Sequence, residues 1–375
     1  MSEIPLIVAA RRTPIATRGR AFADVPAHVL AGRVLEATLA DAREACGGEL
    51  PVADVLLGNC MGPGGNTARL SALEAGLGAA VPGMTVDRQC GSGLAAIVAA
   101  AEAIAAGDPR PRLAGGVESP STQPQRLANG VGYSRAPFTP TGWPDPEMPR
   151  AAEALASVRS ISRERQDAHA RRSHERALEA AGAGRFDREI VGLGRAVRDD
   201  SPGRGLRLID RALPLFNAGT VTAATSTRIS DGAAAVCVVP AVPHRRITGL
   251  ALRSHAVVGV DPALPGLGAA PAISAALAGA DVSLERIAAF EIVEAFASQS
   301  LAVLGELGLE DDDARVCADG GALALGHPWG ASGAVAMVRL FSRLVAAGAP
   351  AGTLGVAACS VGGGMGIAAL VEVVR

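Results

Sequence analysis

Aromatic side chains are scarce in this chain of 375 residues, since Phe, Trp and Tyr together make up 3% of it. A core with few rings must be filled by aliphatic side chains and by close backbone approach, a task that suits the 46 glycines and the many alanines. Hydrophobic residues reach 49% and charged residues only 19%, which argues against a disordered chain. The length exceeds that of one ordinary core and predicts two domains.

Several classes of function are disfavoured by what the sequence lacks. The net charge of −2 gives no basic excess for nucleic acid. The six cysteines form no C-x-x-C pair and have no histidine at zinc spacing, so no metal site is expected. No uninterrupted apolar run has membrane-spanning length, and no signal peptide is evident at the N-terminus. We therefore expect a cytoplasmic protein without nucleic-acid or membrane partners.

Strand-like and helix-like segments alternate along the chain, which predicts an α/β fold with a mostly parallel sheet. In the first half, a strand at 84–86 leads through a glycine-rich turn into an alanine-rich helix at 94–106. The second half repeats this plan with a helix at 334–347, and we interpret the similarity as an internal duplication. Residues 120–149 contain seven prolines and few periodic apolar positions, which predicts a long surface excursion.

Cys90 lies in the segment QCGSGLAA, where a predicted strand meets a predicted helix. A thiol at this place feels the positive end of the helix dipole, so we expect its pKa to be lowered and its thiolate to be stabilised. The small neighbours would let a substrate carbonyl approach the backbone N–H groups. On local pattern alone, a buried structural cysteine is an equally good interpretation.

His327 and a run of three glycines are the other candidate elements. His327 stands in GHPWGASG, where Pro328 fixes the backbone and the glycines open space around the ring. A histidine so placed can act as a base toward a thiol, although a satisfied core histidine is the better interpretation of this segment alone. The segment SVGGGMG, which begins at Ser360, has more glycines than a tight turn needs, and their N–H groups could face a developing oxyanion.

Together these three segments resemble the thiolase family, in the family's order and at matching positions. The opening VAARRTP, the segment GGVES that begins at Gly115 and the segment SDGAA that begins at Ser230 also match, so the resemblance covers essentially the whole chain. It implies two βαβαβαββ halves at 1–243 and 244–375, stacked into a five-layered αβαβα sandwich. A loop domain would be inserted in the first half at about 119–240.

The resemblance also implies a chemistry, a reversible thioester-dependent Claisen condensation that makes or cleaves a 3-oxoacyl thioester. Cys90 would be the acylated nucleophile, His327 would activate it, and N–H groups of Cys90 and Gly362 would form an oxyanion hole. Ser360 would complete the catalytic set, and the substrate-binding residues would be Met148, Ala295 and Phe296. The substrate would be an acyl-CoA or an acyl carrier protein, with no further cofactor, and the assembly would be a homodimer or homotetramer.

Two positions depart from the family pattern. Ser360 stands where the family has the second cysteine of C-x-G-G-G-x-G, which moves a proton at the α-carbon, and a serine hydroxyl is a poor base for that step. Cys359 is one residue too early and should face the other side of its strand unless a bulge re-aims it. Val293 replaces the asparagine of N-E-A-F, which holds a water in the second oxyanion hole. Losing one such donor typically costs about 2.7–4 kcal/mol of transition-state stabilisation.

Three functions therefore remain open from the sequence. The first is a thiolase that makes or cleaves a 3-oxoacyl thioester, which the overall resemblance favours. The second is an acyltransferase that passes the acyl group from Cys90 to a non-carbon nucleophile without Claisen chemistry, which Val293 and Ser360 favour. The third is a non-catalytic subunit of an active partner, and the intact pair of Cys90 and His327 argues against it.

Overall fold

The computed structural model describes residues 4–241 and 247–375, in which strands and helices alternate in two similar halves. The strands of the first half are β1 (Pro5–Arg12), β2 (Ala16–Thr17), β3 (Asp54–Gly58), β4 (Gly83–Val86), β5 (Arg112–Glu118), β6 (Arg126–Ala128), β7 (Val131–Tyr133) and β8 (Ser230–Pro240). Its helices are α1 (Ala27–Cys46), α2 (Thr67–Glu74), α3 (Ser92–Ala105), α4 (Met148–Val158), α5 (Arg163–Gly182) and α6 (Leu206–Ile209). The second half contains β9 (Gly249–Gly259), α7 (Ala269–Gly279), β10 (Ile287–Ile292), α8 (Ala297–Leu307), α9 (Ala322–Leu325), α10 (Trp329–Leu340), β11 (Leu354–Val361) and β12 (Met365–Val374).

The predicted duplication is confirmed by the order of the elements. Leaving out β2 and the inserted segment, the first half runs β1-α1-β3-α2-β4-α3-β5-β8, which is the βαβαβαββ pattern. The second half follows the same plan, except that its third strand is reduced to a one-residue parallel bridge between Phe290 and Val316. Helices α3 and α10 are therefore equivalent elements of the two halves, and each follows one of the segments that the sequence singled out.

Apart from β6 and β7, which pair only with each other, the described strands join into one mixed sheet in the order β10-β11-β12-β9-β1-β8-β5-β3-β4, with β2 paired to β8. The two halves meet at a short antiparallel pairing of Leu6 with Ala251 and Ile7 with Leu250. Among the described strands, only the pairs β3–β4, β3–β5 and β10–β11 are parallel. The expectation of a mostly parallel sheet was wrong, because most neighbouring strands pair antiparallel; for β11 and β12 the reason is a glycine turn that is too short a connection for parallel pairing.

Five layers of helix and sheet are held together by three apolar cores, one central and two outer. Helices α3 and α10 pack together in the central core, while α1 covers the outer face of the first half and α7 that of the second. Strand β8 shows how the sequence supplies two cores at once, since Val236 and Val238 face the central core and Cys237 and Val239 the outer one. The αβαβα layering expected from the family resemblance is confirmed.

The segment between β5 and β8 covers the end of the sandwich. Its proline-rich part is exposed, as predicted, and it contains the small β6–β7 hairpin, which the sequence analysis missed. Helices α4 and α5 lie farther along and pack on α8 of the second half. The limits of this loop domain and of the two halves remain predictions, and the boundary expected at 243/244 lies outside the described residues. Within the described ranges, no helix is both long enough and apolar enough to cross a bilayer.

A fully buried ion network fastens this covering segment to both halves. Arg12, at the end of β1, binds Glu189 and Asp199 of the covering segment, with N–O distances of 2.7 Å to each. Arg339 of α10 binds the same Glu189 and also Asp319. Glu189 is therefore shared by two arginines from different halves, and its pKa stays below the usual value because they outweigh the effect of burial.

Replacement of Glu189 by glutamine should test this network. Glu189→Gln leaves two buried guanidinium groups short of a counter-charge, so we expect a loss of about 3–5 kcal/mol in the free energy of unfolding. Urea titration followed by circular dichroism measures it. The matched control is Glu36→Gln, which breaks an exposed pair with Arg33 and should leave the midpoint unchanged. Equal effects of the two substitutions would contradict the assignment.

Candidate active site

Cys90 is presented by a sharp turn between β4 and α3. Gln89, just before it, has a φ of 46°, in the left-handed region that non-glycine residues rarely adopt. Gly91 admits no side chain, because a Cβ built there would lie 2.9 Å from methyl groups of Val361 and Ile367. A Cβ on Gly93 would lie 2.8 Å from the carbonyl oxygen of Gly330. These glycines are thus explained by protein packing and not, as we expected, by substrate approach.

His327 lies against Cys90, although 237 positions separate them in the sequence. The distance from its Nε2 to the Cys90 sulfur is 3.3 Å, and its Nδ1 lies 2.6 Å from Oγ of Ser332. The Ser332 hydroxyl donates to the carbonyl of Pro328 at 3.2 Å. In the tautomer that matches this bond, Ser332 accepts from Nδ1–H and the lone pair of Nε2 faces the thiol.

Burial controls the protonation of this pair. It raises the pKa of the Cys90 thiol to about 12 and lowers the pKa of His327 to about 4. Backbone N–H groups of Cys90 and Gly362 hydrogen-bond toward the sulfur and favour the thiolate, but they are outweighed. The lowered thiol pKa expected from the helix dipole was wrong, because a sequence shows where a helix begins but not how deeply the thiol is buried. The resting pair is neutral, with the proton on sulfur.

The three glycines after β11 have two different structural reasons. Gly363 and Gly364 have φ values of 85° and 81°, as the turn into β12 requires. Gly362 has no room for a side chain, because a Cβ there would lie 2.7 Å from the ring of Phe138. Its N–H points toward the Cys90 sulfur, so the structure brings Cys90, His327 and Gly362 together.

Comparison with known proteins agrees with this geometry. Residues 5–241 match the family model of the thiolase N-terminal domain, and residues 248–373 match that of the thiolase C-terminal domain. The putative acetyl-CoA C-acetyltransferase YhfS of Bacillus subtilis is 44% identical over 86% of this chain and 88% of its own length. The cytosolic acetyl-CoA acetyltransferase of Rattus norvegicus is 38% identical over 99% of this chain and 98% of its own. The crystal structure of the Bacillus anthracis acetyl-CoA acetyltransferase superposes with a TM-score of 0.89, at 34% identity and 99% coverage of both chains.

This chain belongs to the thiolase family. It is an acyltransferase that acts on acyl thioesters, and neither acyl transfer to a non-carbon nucleophile without Claisen chemistry nor a non-catalytic role as a partner subunit is favoured.

Ser360 of this thiolase is engaged in backbone hydrogen bonds. Its hydroxyl donates to the carbonyl of Gly266 at 2.6 Å and accepts from the N–H of Ala269 at 3.0 Å, at the start of α7. Cys359 points to the opposite face and is buried in the central core. The pairing of β11 with β12 keeps its register through both residues, so no bulge re-aims Cys359. Any catalytic role of Ser360 remains a prediction.

The Val293-to-Phe296 segment connects β10 to α8. Val293 is buried at 6% exposure, while Ala295 and Phe296 are half-buried, as is Met148 at the start of α4. The N–H of Ala295 donates to Gln299 at 3.0 Å. The structure fixes where these residues lie, and their contact with a substrate remains a prediction.

Three buried residues of the site were missed as functional candidates by the sequence analysis. Glu118 accepts from the backbone N–H groups of Cys60, Met61 and Gly330, each at 3.0 Å. Glu294 accepts from His169 and Ser173 of α5, which ties the covering segment to the site. The third is Ser332. All three lie inside segments that matched the thiolase pattern, and that was the only signal available.

The protonation of His327 predicts an unusual pH profile for alkylation of Cys90 by iodoacetamide. The imidazole must be neutral to accept the thiol proton, and its lowered pKa keeps it neutral above about 4. The rate should therefore be flat between about pH 5 and 8 and fall as the pH drops through about 4. An inflection near the ordinary histidine value of 6.5 would contradict this assignment.

The same experiment needs a folding control. Protonation of buried His327 and His174, whose pKa values burial lowers, favours unfolding as the pH falls below about 6.5. Circular dichroism at each pH therefore has to show that the protein is folded where the rate is measured.

Proposed function

We propose that this thiolase forms an acyl thioester on Cys90 and uses it to make or cleave a 3-oxoacyl thioester, with acetyl-CoA or another short acyl-CoA as the donor. The observation that carries the proposal is the 3.3 Å contact between Nε2 of His327 and the Cys90 sulfur, beside the N–H of Gly362. The relatives named as acetyl-CoA acetyltransferases support the choice of donor.

Acylation follows from the neutral resting pair. As the substrate carbonyl approaches, the thiol proton passes to Nε2 of His327 and the sulfur attacks the carbonyl carbon. Negative charge builds up on the former carbonyl oxygen, where the N–H groups of Cys90 and Gly362 receive it. The tetrahedral intermediate then expels the CoA thiolate, which takes the proton back from His327. The acyl group remains on Cys90 as a thioester.

The second half-reaction is where this chain differs from its family. Condensation removes an α-proton from a second acyl thioester and places the resulting charge on an enolate oxygen. The Ser360 hydroxyl is held by Gly266 and Ala269, and Val293 offers no hydrogen bond to a water. We therefore expect condensation to be slow relative to acylation.

The remaining parts of the proposal are the substrate contacts, the assembly and the cellular compartment. Met148, Ala295 and Phe296 would contact the acyl thioester tail, with acyl-CoA as the proposed carrier and an acyl carrier protein as the alternative. A second copy of the chain would cover β4, an edge strand on which Met84 is 43% exposed, and so form a homodimer or homotetramer. Among the described residues, the cysteines other than Cys46 are free thiols, which suits a reducing compartment such as the cytoplasm.

Acylation of Cys90 can be observed directly by mass spectrometry of the intact protein. After mixing with acetyl-CoA, the protein should gain the mass of one acetyl group, and Cys90→Ala should abolish the gain. The sequence contains no lysine, so no side-chain amine competes for the acyl group. Cys60→Ala is the matched control and should still be acylated. Persistence of the added mass in Cys90→Ala would place the nucleophile elsewhere.

Exchange of α-protons of acetyl-CoA into deuterated water tests the second half-reaction, because it needs the base and the enolate hole but no second acyl group. In the unmodified enzyme we expect exchange to be about 100-fold or more slower than acylation of Cys90, because the second oxyanion hole has lost a hydrogen-bond donor. Val293→Asn with Ser360→Cys should raise exchange more than either change alone, since base and hole act in one transition state.

Val293→Leu is the control for this pair, because it changes the side chain without adding a hydrogen-bonding group and should give no gain. Circular dichroism checks folding, since Ser360→Cys weakens two hydrogen bonds at the start of α7. Rapid exchange and efficient thiolysis in the unmodified enzyme would overturn the expectation that these two positions impair condensation.

A further inference from the structure

Phe138 reaches inward from the proline-rich part of the covering segment and packs on two glycines of the site. A Cβ built on Gly362 would lie 2.7, 3.0 and 3.4 Å from three carbons of the Phe138 ring, and one built on Gly363 would lie 3.2 Å from the Phe138 carbonyl oxygen. Pro137 and Pro140 beside it are exposed, whereas Phe138 is half-buried. The covering segment therefore directs this one ring toward the turn that follows β11.

Gly362 benefits from such a neighbour because its own backbone is weakly restrained. Two more glycines follow it, and glycine has more conformational freedom to lose on folding than any other residue. The φ of Gly362 does not lie in the left-handed region, so the turn alone does not require glycine here. The Phe138 ring accounts for the glycine, and the same contact restrains the peptide whose N–H hydrogen-bonds toward the Cys90 sulfur.

The Phe138 side chain is itself held in place by a charged pair. The guanidinium carbon of Arg135 lies 4.5 Å from the centre of the ring, a distance typical of a cation–π contact. Arg135 donates to Oδ1 of Asp145 at 2.7 Å, and the N–H of Phe138 donates to Oδ2 of the same carboxylate at 3.3 Å. Asp145 stands three residues before Met148, where α4 begins, so the ring is tied to the start of that helix.

We propose that Phe138 is a positioning residue for the oxyanion hole, and that its ring holds the Gly362 peptide with the N–H directed at the oxygen of the substrate thioester. The inference rests on the proposed function, in which the N–H groups of Cys90 and Gly362 receive the negative charge of acylation. Such stabilisation needs donors about 2.7–3.1 Å from the oxygen, so a peptide that turns away loses most of its effect.

Two reactions of the same thiol separate this role from a general loss of structure. Acylation by acetyl-CoA develops an oxyanion, whereas alkylation by iodoacetamide attacks a saturated carbon and forms none. In Phe138→Ala we expect the maximal rate of Cys90 acylation to fall about 10-fold or more, because removal of an oxyanion donor costs about 100-fold or more and this N–H is displaced, not removed. The alkylation rate should stay unchanged.

Two further variants control this comparison. Trp143→Ala removes an aromatic side chain from the same part of the covering segment, where Trp143 is 63% exposed, and should change neither rate. Phe138→Leu keeps an apolar group over Gly362 and should retain most of the acylation rate. Equal losses of acylation and alkylation in Phe138→Ala would overturn the proposal. A higher acetyl-CoA concentration at half-maximal rate, with the maximal rate kept, would also overturn it, because Phe138 would then be a substrate contact.

Compensation by Gly362→Ala tests the contact itself. In the native protein the new methyl group would overlap the Phe138 ring, so Gly362→Ala alone should lower the acylation rate. In Phe138→Ala the same methyl group enters the space that the ring has left and restricts the backbone, since alanine has less conformational freedom than glycine. The double variant should therefore acylate faster than Phe138→Ala. A further loss would contradict the proposed role of the contact.

Amide hydrogen exchange gives a readout that needs no substrate and so separates this inference from the proposed function. Deuterium uptake by a peptide that contains Gly362, measured by mass spectrometry, should be faster in Phe138→Ala than in the unmodified protein, because the N–H is freer to turn toward water. Equal uptake would overturn the positioning role even if Cys90 is acylated. Faster uptake, in a protein whose unmodified form is not acylated on Cys90, would support the positioning of the peptide and overturn the proposed function alone.

Discussion

The close approach of the Gly330 backbone to three glycines is the constraint on which the rest of the site depends. A Cβ built on Gly58, Gly93 or Gly116 would lie less than 3.0 Å from the carbonyl oxygen of Gly330. The N–H of Gly330 binds Glu118, so this residue is held on both sides by the first half of the chain. His327 is three residues before Gly330 in the sequence. A side chain on any of the three glycines would displace Gly330 and so push His327 away from Cys90.

Burial is the second determinant of the chemistry, and it follows from that close approach. His327 is buried and Cys90 is half-buried where the two helix starts pack together, and burial shifts the pKa values of the thiol and the imidazole toward their neutral forms. The enzyme therefore holds a weakly acidic thiol beside an available base, and charge appears only when a substrate carbonyl arrives. Backbone N–H groups of Cys90 and Gly362 are already placed to receive it.

Buried carboxylates connect the covering segment to this arrangement. Glu189 binds arginines from both halves, and Glu294 binds His169 and Ser173 of α5 while it also accepts from the N–H of Leu323 beside the site. Breaking either connection would leave uncompensated charge in the interior. The covering segment is therefore held in place by the same interactions that stabilise the folded protein. The shape of the acyl site is therefore linked to stability far from Cys90.

The sequence by itself determined the family, the duplicated α/β plan and the segments that contain Cys90, His327 and Gly362, because each is a local pattern of residue types. The family resemblance, and not local spacing, implied that these segments meet. It also located the replacements at Val293 and Ser360. Only the tertiary structure decided the direction of the Cys90 pKa shift, the backbone partners of the Ser360 hydroxyl and the roles of Ser332, Glu118 and Arg339. Burial and hydrogen bonding at these positions arise between residues that are distant in the chain, and no local pattern encodes them.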